Sequence, residues 1–565
     1  MHIVLARSAD GGVVATRFVE SGDDGGNELG IEPVAEPVSD LAAFVRTEEQ
    51  ARPRWVWDDT SRWYPELLAQ HVRVERCHDL RLCHTILRYS QLTSGSALAM
   101  AQHNEWDAPA VAIVRREPDG ALFELDERQE PGLPTDPLAE FRLQRAAVAA
   151  SEEPGRIGRL LAAESAGALI AAEMRFAGLP WRAAEHDAIL TGMLGARPAV
   201  DGERPAKLQE LLTRLRELLE APELNPDSPA DLVKSLGRAG LIVTSTRSWE
   251  LKKLEHPAIA PLLEYKKLAR LLSANGWHWL DTWVVDERFK PDYVPGGVVT
   301  GRWATSGGGA LQLPRQIRGA VVADDGWKLV VADASQLEPR ILAAMAGDRD
   351  MVTAGAAGDL YAGIVASGAV ETRDQAKVAM LGAMYGATTG ESGRLMPRLA
   401  RAYPKAIALV EHAARAGERG EIVSTRLGRS SPLPGAGWQQ AQSQAYDETA
   451  TQAQTARARS EARSWGRFTR NFIVQGTAAE WALCWMASVR RRLTALAGER
   501  WLTDAPHLVF FLHDEIVVHC PAELAHIVAD EIRAGAAEAG TLLFGPLPIE
   551  FPLTVAIVDN YGQAK

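Results

Sequence analysis

Three acidic side chains stand where apolar strands are expected to end or turn. Asp333 follows the apolar run 329–332, and Asp514 and Glu515 are adjacent at the turn of an expected hairpin. An unpaired carboxylate beside an apolar sheet is costly, so its presence there needs a reason. Carboxylates from separate strands can together hold two divalent cations about 4 Å apart, an arrangement suited to in-line phosphoryl displacement. For Asp333 alone, a capping or salt-bridged turn residue is the other interpretation.

The hairpin is the clearest local pattern. Residues 507–512 and 515–519 form two apolar strands, and His513 and Asp514 form the tight turn between them. Hairpin turns favour Asp for backbone reasons, so Asp514 alone would be unremarkable. The run His513, Asp514 and Glu515 is less easily explained by turn geometry, and it indicates a site.

A third group with chemical potential lies on an expected helix at 373–386. Arg373, Lys377, Leu381 and Tyr385 recur every four residues, so they fall within one stripe about 120° wide. Two cations one turn apart, followed by an apolar and an aromatic side chain, would suit a triphosphate, a sugar and a base. An ordinary amphipathic helix is the alternative.

Several elements must position these residues. A strand at 327–332, a helical block at 351–455 with glycines at 386–390, and the hairpin predict an α+β module with helices inserted into a sheet domain. Residues 155–290 are mostly helical, with Ser228 expected to cap a helix that begins at Pro229. Residues 1 to about 150 have mixed α/β character, with strand-like pieces at 3–5, 55–57 and 110–114.

The length and composition of the chain limit which classes of protein it can belong to. At 565 residues the chain exceeds one hydrophobic core, so several domains are expected. It has no apolar run of about twenty residues and no secretion-signal pattern, which predicts no membrane segment. Four cysteines do not make a disulfide framework, which favours a cytoplasmic protein.

The formal net charge of −12 argues mildly against a generic nucleic-acid binder. Basic residues nevertheless cluster in two segments, at Arg457, Arg459, Arg463, Arg467 and Arg470, and at Lys252, Lys253, Lys266, Lys267 and Arg270. Either cluster taken alone is also what an ordinary solvated face would contain.

Taken together, these segments resemble the signature motifs of family A DNA polymerases, the DNA polymerase I type. Residues 333–340 resemble the first palm motif, residues 373–386 the nucleotide-binding fingers helix, and residues 513–515 the second palm motif. Two further matches come in the right order: Thr300, Gly301 and Arg302 followed by Leu311, Gln312 and Pro314, and Arg467, Asn471 and residues 475–479.

The resemblance implies an α+β multidomain fold, a right-hand polymerase preceded by a ribonuclease H-like exonuclease-type domain. The implied parts are an exonuclease-like domain at 1–154, a thumb at 155–290, the first part of the palm at 291–350, fingers at 351–455 and the second part of the palm at 456–565. It further implies a monomer that acts on primer-template DNA and dNTPs. The 5′-nuclease domain of longer relatives is expected to be absent.

The resemblance also implies catalytic roles. Asp333 and Asp514 would hold two Mg²⁺ ions, for which Mn²⁺ can substitute, and Glu515 would support them. Arg373 and Lys377 would bind the triphosphate, with Lys377 assisting the leaving pyrophosphate.

Further implied roles concern the nucleotide and the DNA. Glu338 would be the steric gate against a ribose 2′-hydroxyl, Tyr385 would lie at the template–nucleotide junction, and Leu381 would face the sugar. Gln336 and His513 are also assigned to substrate binding, His513 with a contact to the primer end. Arg302, Arg467, Asn471 and Gln475 are assigned to DNA. Arg302, Gln475 and His513 would contact the nascent minor groove or the primer end, where acceptors common to all correct pairs allow sequence-independent checking.

Three positions depart from the family pattern. Leu381 stands where Phe or Tyr is usual against the sugar, Met380 replaces a usual Asn, and Pro339 is unusual inside the first palm motif. Leucine offers less flat contact area, so nucleotide affinity and sugar discrimination are the properties it affects.

The N-terminal domain departs further. A proofreading exonuclease of this family needs an Asp-x-Glu pair on its first strand and a later Tyr-x-x-x-Asp, and neither is present at the expected places. Asp58 or Asp59 marks the place of the middle acid, and Asp79 follows. One or two carboxylates cannot organise two cations for hydrolysis, so we expect a degenerate, structural domain.

The pairs Cys77-His78 and Cys83-His84 suggest zinc, but structural zinc sites pair two separated clusters and no second cluster follows. Buried sulfur on an ordinary helix or strand is the favoured interpretation.

Three functions are therefore weighed. The first is an active DNA-directed DNA polymerase. The second is a polymerase-fold protein that binds primer-template but is weakened in catalysis, as Leu381 and the acidic charge would allow. The third, a single-subunit RNA polymerase or a nuclease, is opposed by Glu338 and by the missing nuclease acids.

Overall fold

The computed structural model describes residues 1–8, 11–18, 35–107, 136–200, 202–356, 358–386, 390–445, 447, 449–547 and 549–564. The strand expected at 110–114 lies outside the described residues. The chain divides into two compact units. Met1–Ala177, Asp292–Ser306 and Val330–Ile557 form the first, and Gly178–Pro291, Gly307–Leu329 and Val558–Lys565 form the second.

The first unit opens with a mixed sheet. Its strands are β1 (His2–Arg7), β2 (Val13–Phe18), β3 (Ala35–Val38), β4 (Arg54–Trp57) and β5 (Arg76–Asp79). Their order is β3-β2-β1-β4-β5, with β1 antiparallel to β2 and parallel to β4, and β4 parallel to β5. The helices are α1 (Leu41–Glu48), α2 (Thr60–Ala69), α3 (Leu80–Tyr89), α4 (Ala97–Met100) and α5 (Pro137–Ala149). The predicted α/β character is confirmed.

Both faces of this sheet are covered, which explains why its strands are continuously apolar. Ile3, Leu5 and Trp55 pack into one core, and Val4 and Val56 pack into another on the opposite face. Side chains alternate between faces along a strand, so an uninterrupted apolar run requires two cores.

The second unit is mainly helical. It contains β6 (Leu179–Pro180), α7 (Ala183–Leu194), α8 (Ala206–Leu218), α9 (Pro229–Arg238), α10 (Ser248–Leu251), α11 (Ile259–Asn275), α12 (Trp277–Trp283), β7 (Val284–Val285) and β8 (Arg288–Phe289), and α6 (Pro154–Ala177) precedes it in the first unit. The small strands are ordered β6-β8-β7. The predicted cap is confirmed, because the Ser228 side chain accepts a hydrogen bond from the amide of Asp231.

A second sheet carries the acids. The strand pair β9 (Asp292–Val294) and β10 (Ala304–Gly307) precedes it, and its own strands are β11 (Trp327–Ala334), β12 (His507–Leu512), β13 (Glu515–Pro521) and β14 (Leu553–Val558). Their order is β12-β13-β11-β14. The hairpin is confirmed with Leu512 paired to Glu515. The strand expected at 327–332 runs two residues further, so Asp333 lies within it.

Helices fill the interval between β11 and β12. They are α13 (Leu337–Ala346), α14 (Arg349–Gly355), α15 (Leu360–Ala366), α16 (Arg373–Tyr385), α17 (Gly390–Ala402), α18 (Pro404–Glu418), α19 (Ala436–Ala445) and α20 (Gln452–Ala497), and α21 (Ala525–Phe544) follows the hairpin. The predicted α+β plan, with helices inserted into a sheet domain, is confirmed. Two expected domain limits, 350/351 and 455/456, fall inside α14 and α20.

Helix α20 is the longest described helix, with 46 residues and so a length of roughly 70 Å. Thr451 begins it with a capping box completed by Gln454, which satisfies amide groups that the first turn leaves open. It packs along α18, α19, α21 and α6, and it therefore links the helical block to the sheet domain.

A buried ion-pair network joins α20 to the N-terminal domain. The guanidinium of Arg490 donates to Glu173 of α6 at 2.7 Å and to the carbonyl of Val74 at 2.6 Å. Tyr64 and Arg73 also donate to Glu173. Burial acts against the charge of Glu173, but the two arginines hold its pKa well below its usual range. A buried charge network with these partners is costly to break from one side.

None of the described helices combines the length and the apolar character needed to cross a membrane.

Candidate active site

The acids of β11 and of the hairpin lie on neighbouring strands. The amide of Ala334, directly after Asp333, donates to the carbonyl of Asp514 at 2.9 Å. Asp333 and Asp514 are half-buried and Glu515 is buried. His513 turns the hairpin in the left-handed region with a φ of 60°. The sheet thus brings together carboxylates that are about 180 positions apart in the sequence.

This donor set suits a hard divalent cation. Among the residues that the structure describes, no three His, Cys, Asp or Glu side chains form a group that could hold a metal ion by themselves. Mg²⁺ does not require such a group, because it usually keeps several waters and binds through one or two carboxylates plus substrate phosphates. Asp333 and Asp514 are the half-buried carboxylates of this part of the sheet.

Helix α16 presents the predicted stripe. Arg373, Lys377, Leu381 and Tyr385 are all exposed, and Ala376, Ala379, Met380 and Ala383 are buried on the other side. Lys377 makes no hydrogen bond or ion pair with any described residue. Gly386 ends the helix with a φ of 72°, a conformation that glycine adopts at little cost. The predicted stripe therefore lies on the exposed face of α16.

A hydrogen-bonded chain connects three predicted site residues on three helices. The hydroxyl of Tyr385 donates to Glu338 Oε2 at 2.9 Å, and the amide of Gln475 donates to the same hydroxyl at 3.0 Å. Burial raises the pKa of Glu338, against the effects of Tyr385 and the positive charge of Arg302. Burial and the neighbouring Glu338 raise the pKa of Tyr385.

Arg302 and His513 lie near this chain. Arg302 is exposed, and its charge acts on Glu338, Tyr385 and His513. Burial lowers the pKa of His513, and Arg302 lowers it further. Both effects favour the neutral imidazole, which offers one donor and one acceptor.

Asp359 is a site residue that the sequence reasoning missed. It accepts hydrogen bonds from Gln336 at 2.7 Å and from Arg373 at 2.8 Å, and it caps α15. Burial alone would raise its pKa, but these partners lower it to about 2. The ring of Tyr361 lies 5.5 Å from the Arg373 guanidinium. The available signal was the Asp before an apolar helical run, a pattern that predicts only a cap.

The side chain of Gln336 is hydrogen-bonded within the protein. Its backbone lies in the left-handed region, with a φ of 56°. Its side-chain Oε1 accepts from the backbone amide of Leu360 at 2.7 Å. Both ends of the Gln336 amide are thus engaged by the start of α15. Such a backbone conformation persists only when the surroundings fix it, so Gln336 positions the junction between β11 and α13.

Three of the four residues expected to contact DNA share helix α20. Arg467 is exposed, Asn471 is half-buried and Gln475 is buried. The side-chain amide of Gln475 donates to the hydroxyl of Tyr385. The Oδ1 atom of Asn471 is buried and accepts no hydrogen bond within the described part of the chain. A buried acceptor of this kind needs a partner, which a bound ligand could supply.

The acids of the N-terminal domain accept hydrogen bonds from neighbouring residues of the same domain. Asp58 accepts from the indole of Trp63 at 2.5 Å, and Asp59 caps α2. Asp79 accepts from the amide and the hydroxyl of Thr60, both at 2.7 Å. Burial raises the pKa of Asp79 to about 7. The thiols of Cys77 and Cys83 are buried, on β5 and α3.

The fold belongs to a known structural class. The chain is similar to the solved structure described as "POL domain of Pol1 from M. smegmatis complex with DNA primer-template and dNTP", with a TM-score of 0.66 and 18% identity. The match covers 99% of this chain and 95% of that one. The expected polymerase fold is confirmed.

The family follows from the sequence comparison. The model of DNA polymerase family A matches residues 200–562, so this chain belongs to DNA polymerase family A, as the motifs predicted. It is 27% identical over 351 residues to the thermostable DNA polymerase I of Thermus thermophilus and 28% identical over 341 residues to the DNA polymerase I of Chloroflexus aurantiacus. These matches cover 57% and 55% of this chain, but 38% and 33% of the relatives.

Proposed function

We propose that this chain is a DNA-directed DNA polymerase, which adds dNTPs to a primer 3′ end. The observation that carries the proposal is that the sheet brings Asp333 of β11 beside Asp514 at the hairpin turn, since the amide of Ala334, directly after Asp333, donates to the carbonyl of Asp514 at 2.9 Å. Around this sheet, α16 offers an exposed cationic face and α20 offers polar groups. Family membership and the primer-template and dNTP of the mycobacterial relative support the choice of substrate.

Each residue has a distinct task in this proposal. Arg373 and Lys377 bind the triphosphate from one side, and the free ammonium of Lys377 donates a proton or a hydrogen bond to the departing pyrophosphate. Asp359 holds Arg373 in place through its 2.8 Å hydrogen bond. Glu338, fixed by Tyr385, occupies the space beside the sugar. Gln475 and Arg302 donate to acceptors of the nascent pair.

Asp333 and Asp514, supported by Glu515, would hold two Mg²⁺ ions or Mn²⁺ in their place. Such ions neutralise charge at the transferred phosphoryl group and lower the pKa of a bound hydroxyl. The carboxylates supply the fixed negative charge that makes this position selective for cations.

A second candidate is a polymerase-fold protein that binds primer-template with weakened catalysis. Leu381 favours it, because this exposed aliphatic side chain offers a nucleotide less contact area than a ring. A primer-extension gel with dNTPs or rNTPs, run with wild type and Asp514→Ala, separates the candidates. We expect dNTP extension by wild type alone. Primer binding without extension would favour the second candidate, and efficient rNTP use would favour an RNA polymerase.

We further propose that the N-terminal domain has no 3′–5′ exonuclease activity. The acids Asp58, Asp59 and Asp79 serve as hydrogen-bond acceptors and helix caps, which gives each of them a structural role. Purified protein is expected to leave a 3′-labelled single strand intact in Mg²⁺ or Mn²⁺. The control is the Asp333→Ala/Asp514→Ala double variant. Removal of 3′ nucleotides that survives this double substitution would show that the domain is an active nuclease.

Substitution of Leu381 by Phe is expected to lower the apparent KM for dNTPs several-fold. A ring should bury more apolar surface on the nucleotide, worth on the order of 1 kcal/mol at about 25 cal/mol per Å². Steady-state incorporation of dCTP opposite template G measures the effect, with Leu381→Ala expected to shift KM the opposite way. An unchanged or higher KM for Leu381→Phe would mean that Leu381 does not face the sugar.

A further inference from the structure

A buried ion pair joins α6 to the segment between α18 and α19, and the proposed chemistry does not use it. Arg429 of that segment donates to Glu164 Oε2 of α6 at 2.6 Å. The Glu164 side chain is 1% exposed and that of Arg429 is 11% exposed. Burial raises the pKa of Glu164, and the charge and hydrogen bond of Arg429 oppose that effect. A buried ion pair is often no more stabilising than apolar residues of similar size, so its position must explain its use.

The ion pair lies against a tight turn that carries Arg302. We name residues 298–302 the Arg302 turn. Within it, the amide of Gly301 donates to the carbonyl of Val298 at 2.7 Å, and the amide of Val298 donates to the carbonyl of Arg302 at 3.1 Å. Gly301 has a φ of 82°, a conformation that glycine adopts without steric cost. Thr300 is buried and Arg302 is exposed, so the turn presents Arg302 at the surface.

The two charged side chains fill the space beside two glycines of this segment. A Cβ on Gly301 would lie 2.8 Å from the Cζ atom of Arg429, and a Cβ on Gly296 would lie 2.7 Å from Glu164 Oε1. The guanidinium of Arg429 therefore covers Gly301 directly, while Glu164 holds its Nη2 atom. A planar group that is hydrogen-bonded at one edge and packed on one face leaves the backbone of Gly301 little room to move on that side.

The loop that carries Arg429 is anchored to α20. The amide of Thr425 donates to the carbonyl of Arg429 at 2.9 Å, which closes the loop. The amide of Leu427 donates to Glu480 of α20 at 2.8 Å. Arg429 thus projects from a loop that is fixed to the same helix as Gln475, a residue proposed to donate to the nascent pair.

Helix α20 also meets the Arg302 turn. A Cβ on Gly476, the residue after Gln475, would lie 3.2 Å from the carbonyl oxygen of Thr300. Arg302 and Gln475 are therefore held by one packed cluster, in which Arg429 is the charged side chain that contacts the turn next to Arg302.

We propose that Arg429, anchored by Glu164, is a positioning residue that fixes the Arg302 turn and so sets how strongly the chain favours a correctly paired primer end. Minor-groove acceptors are common to all correct base pairs, and a mismatch displaces them. Arg302 can distinguish the two cases only if its own backbone is held in place, because polar contacts of this kind require positions fixed to within about 0.5 Å. This inference rests on the proposed polymerase function and on the role of Arg302 in it.

The test is a double-mutant cycle between Arg429→Lys and Arg302→Ala in the full chain. Lysine keeps the charge opposite Glu164 but has a flexible stem and no planar group to cover Gly301. Single-turnover addition of dCTP opposite template G is measured on a primer with a matched 3′ end and on one with a mismatched 3′ end. The matched control is Arg419→Lys, because Arg419 forms an exposed ion pair of 2.7 Å with Glu421 shortly before the loop.

We expect Arg429→Lys to slow extension of the matched primer about tenfold, the effect of losing one hydrogen bond from a charged group, and to slow extension of the mismatched primer far less. In the Arg302→Ala background, Arg429→Lys should change neither rate by more than about twofold, because residues that act through one contact are not additive. The apparent KM for dCTP should be unchanged, since the positioning role concerns the primer end. Arg419→Lys should behave as wild type.

Equal slowing on both primers, or slowing that adds to that of Arg302→Ala, would overturn the inference, because the ion pair would then have only a structural role. Wild-type rates in Arg429→Lys would overturn it as well. If Arg429→Lys melts below the assay temperature, Glu164→Gln, which weakens the same anchor at constant side-chain volume, replaces it in the cycle under the same criteria. If wild type extends the matched primer and the variants behave as wild type, only this inference fails. If wild type extends neither primer, the polymerase proposal fails with it.

Discussion

Substitution of Asp514 by Ala is expected to slow nucleotide addition by about a thousandfold or more and to leave primer-template affinity within about threefold. Electrostatic groups aimed at a transferred phosphoryl group contribute several kcal/mol to the transition state, and each factor of ten in rate corresponds to about 1.4 kcal/mol. Asp514 is half-buried at the hairpin turn, and its carbonyl accepts from the amide of Ala334, so removing its carboxylate should not unfold the sheet.

Single-turnover incorporation of one dNTP and anisotropy binding of primer-template measure these two effects. Asp333→Ala should give a similar loss, and the double variant should lose little more, because groups that act as a unit are not additive. Asp530→Ala is a suitable control, since Asp530 is an exposed acid of α21 paired with Arg533. Extension by Asp514→Ala within tenfold of wild type would place the active site elsewhere.

Substitution of Glu338 by Ala is expected to reduce discrimination against ribonucleotides by ten- to a hundredfold. Glu338 cannot move aside freely, because Tyr385 binds its Oε2 at 2.9 Å and Gln475 holds Tyr385. Forcing an extra group into a filled space costs about 1–3 kcal/mol, which is the energy that a 2′-hydroxyl would save when the side chain is truncated.

The measurement compares kcat/KM for dCTP and rCTP opposite template G. Glu338→Gln, which keeps the side-chain volume, should retain most of the discrimination. In a double variant that combines Glu338→Ala with Leu381→Phe, the two effects on kcat/KM should be roughly additive if the residues contact different sides of the sugar. Unchanged rCTP use by Glu338→Ala would remove the gate role from this residue.

Local elements of the site could be predicted from the sequence. The hairpin, the face of α16 and the Ser228 cap follow from period, turn chemistry and capping, which depend on neighbours in the chain. Strand β11 extends one residue beyond Asp333, and the amide of its last residue, Ala334, donates to the carbonyl of Asp514. Strand propensity depends on neighbouring residues, so it cannot predict a hydrogen-bond partner that is so far away in the sequence.

Long-range partners could not be predicted. The role of Asp359 depends on Gln336 and Arg373 meeting at the start of α15, and the Arg490–Glu173 pair joins elements 317 positions apart. Hydrogen bonds of this kind are products of packing. The sequence shows only that each residue is polar, which fits a solvated surface equally well. Family motifs supplied the order of the sites, which local patterns alone would have left open.

The most direct test of the account is templated single-nucleotide incorporation by the wild-type chain. A primer-template whose next template base is G is mixed with each dNTP in turn, with Mg²⁺ or with a chelator, and the products are resolved on a gel. We expect extension by dCTP in Mg²⁺, far weaker extension by the other dNTPs, and none with the chelator. A primer left unextended by dCTP in Mg²⁺, or extended alike by all four dNTPs, would contradict it.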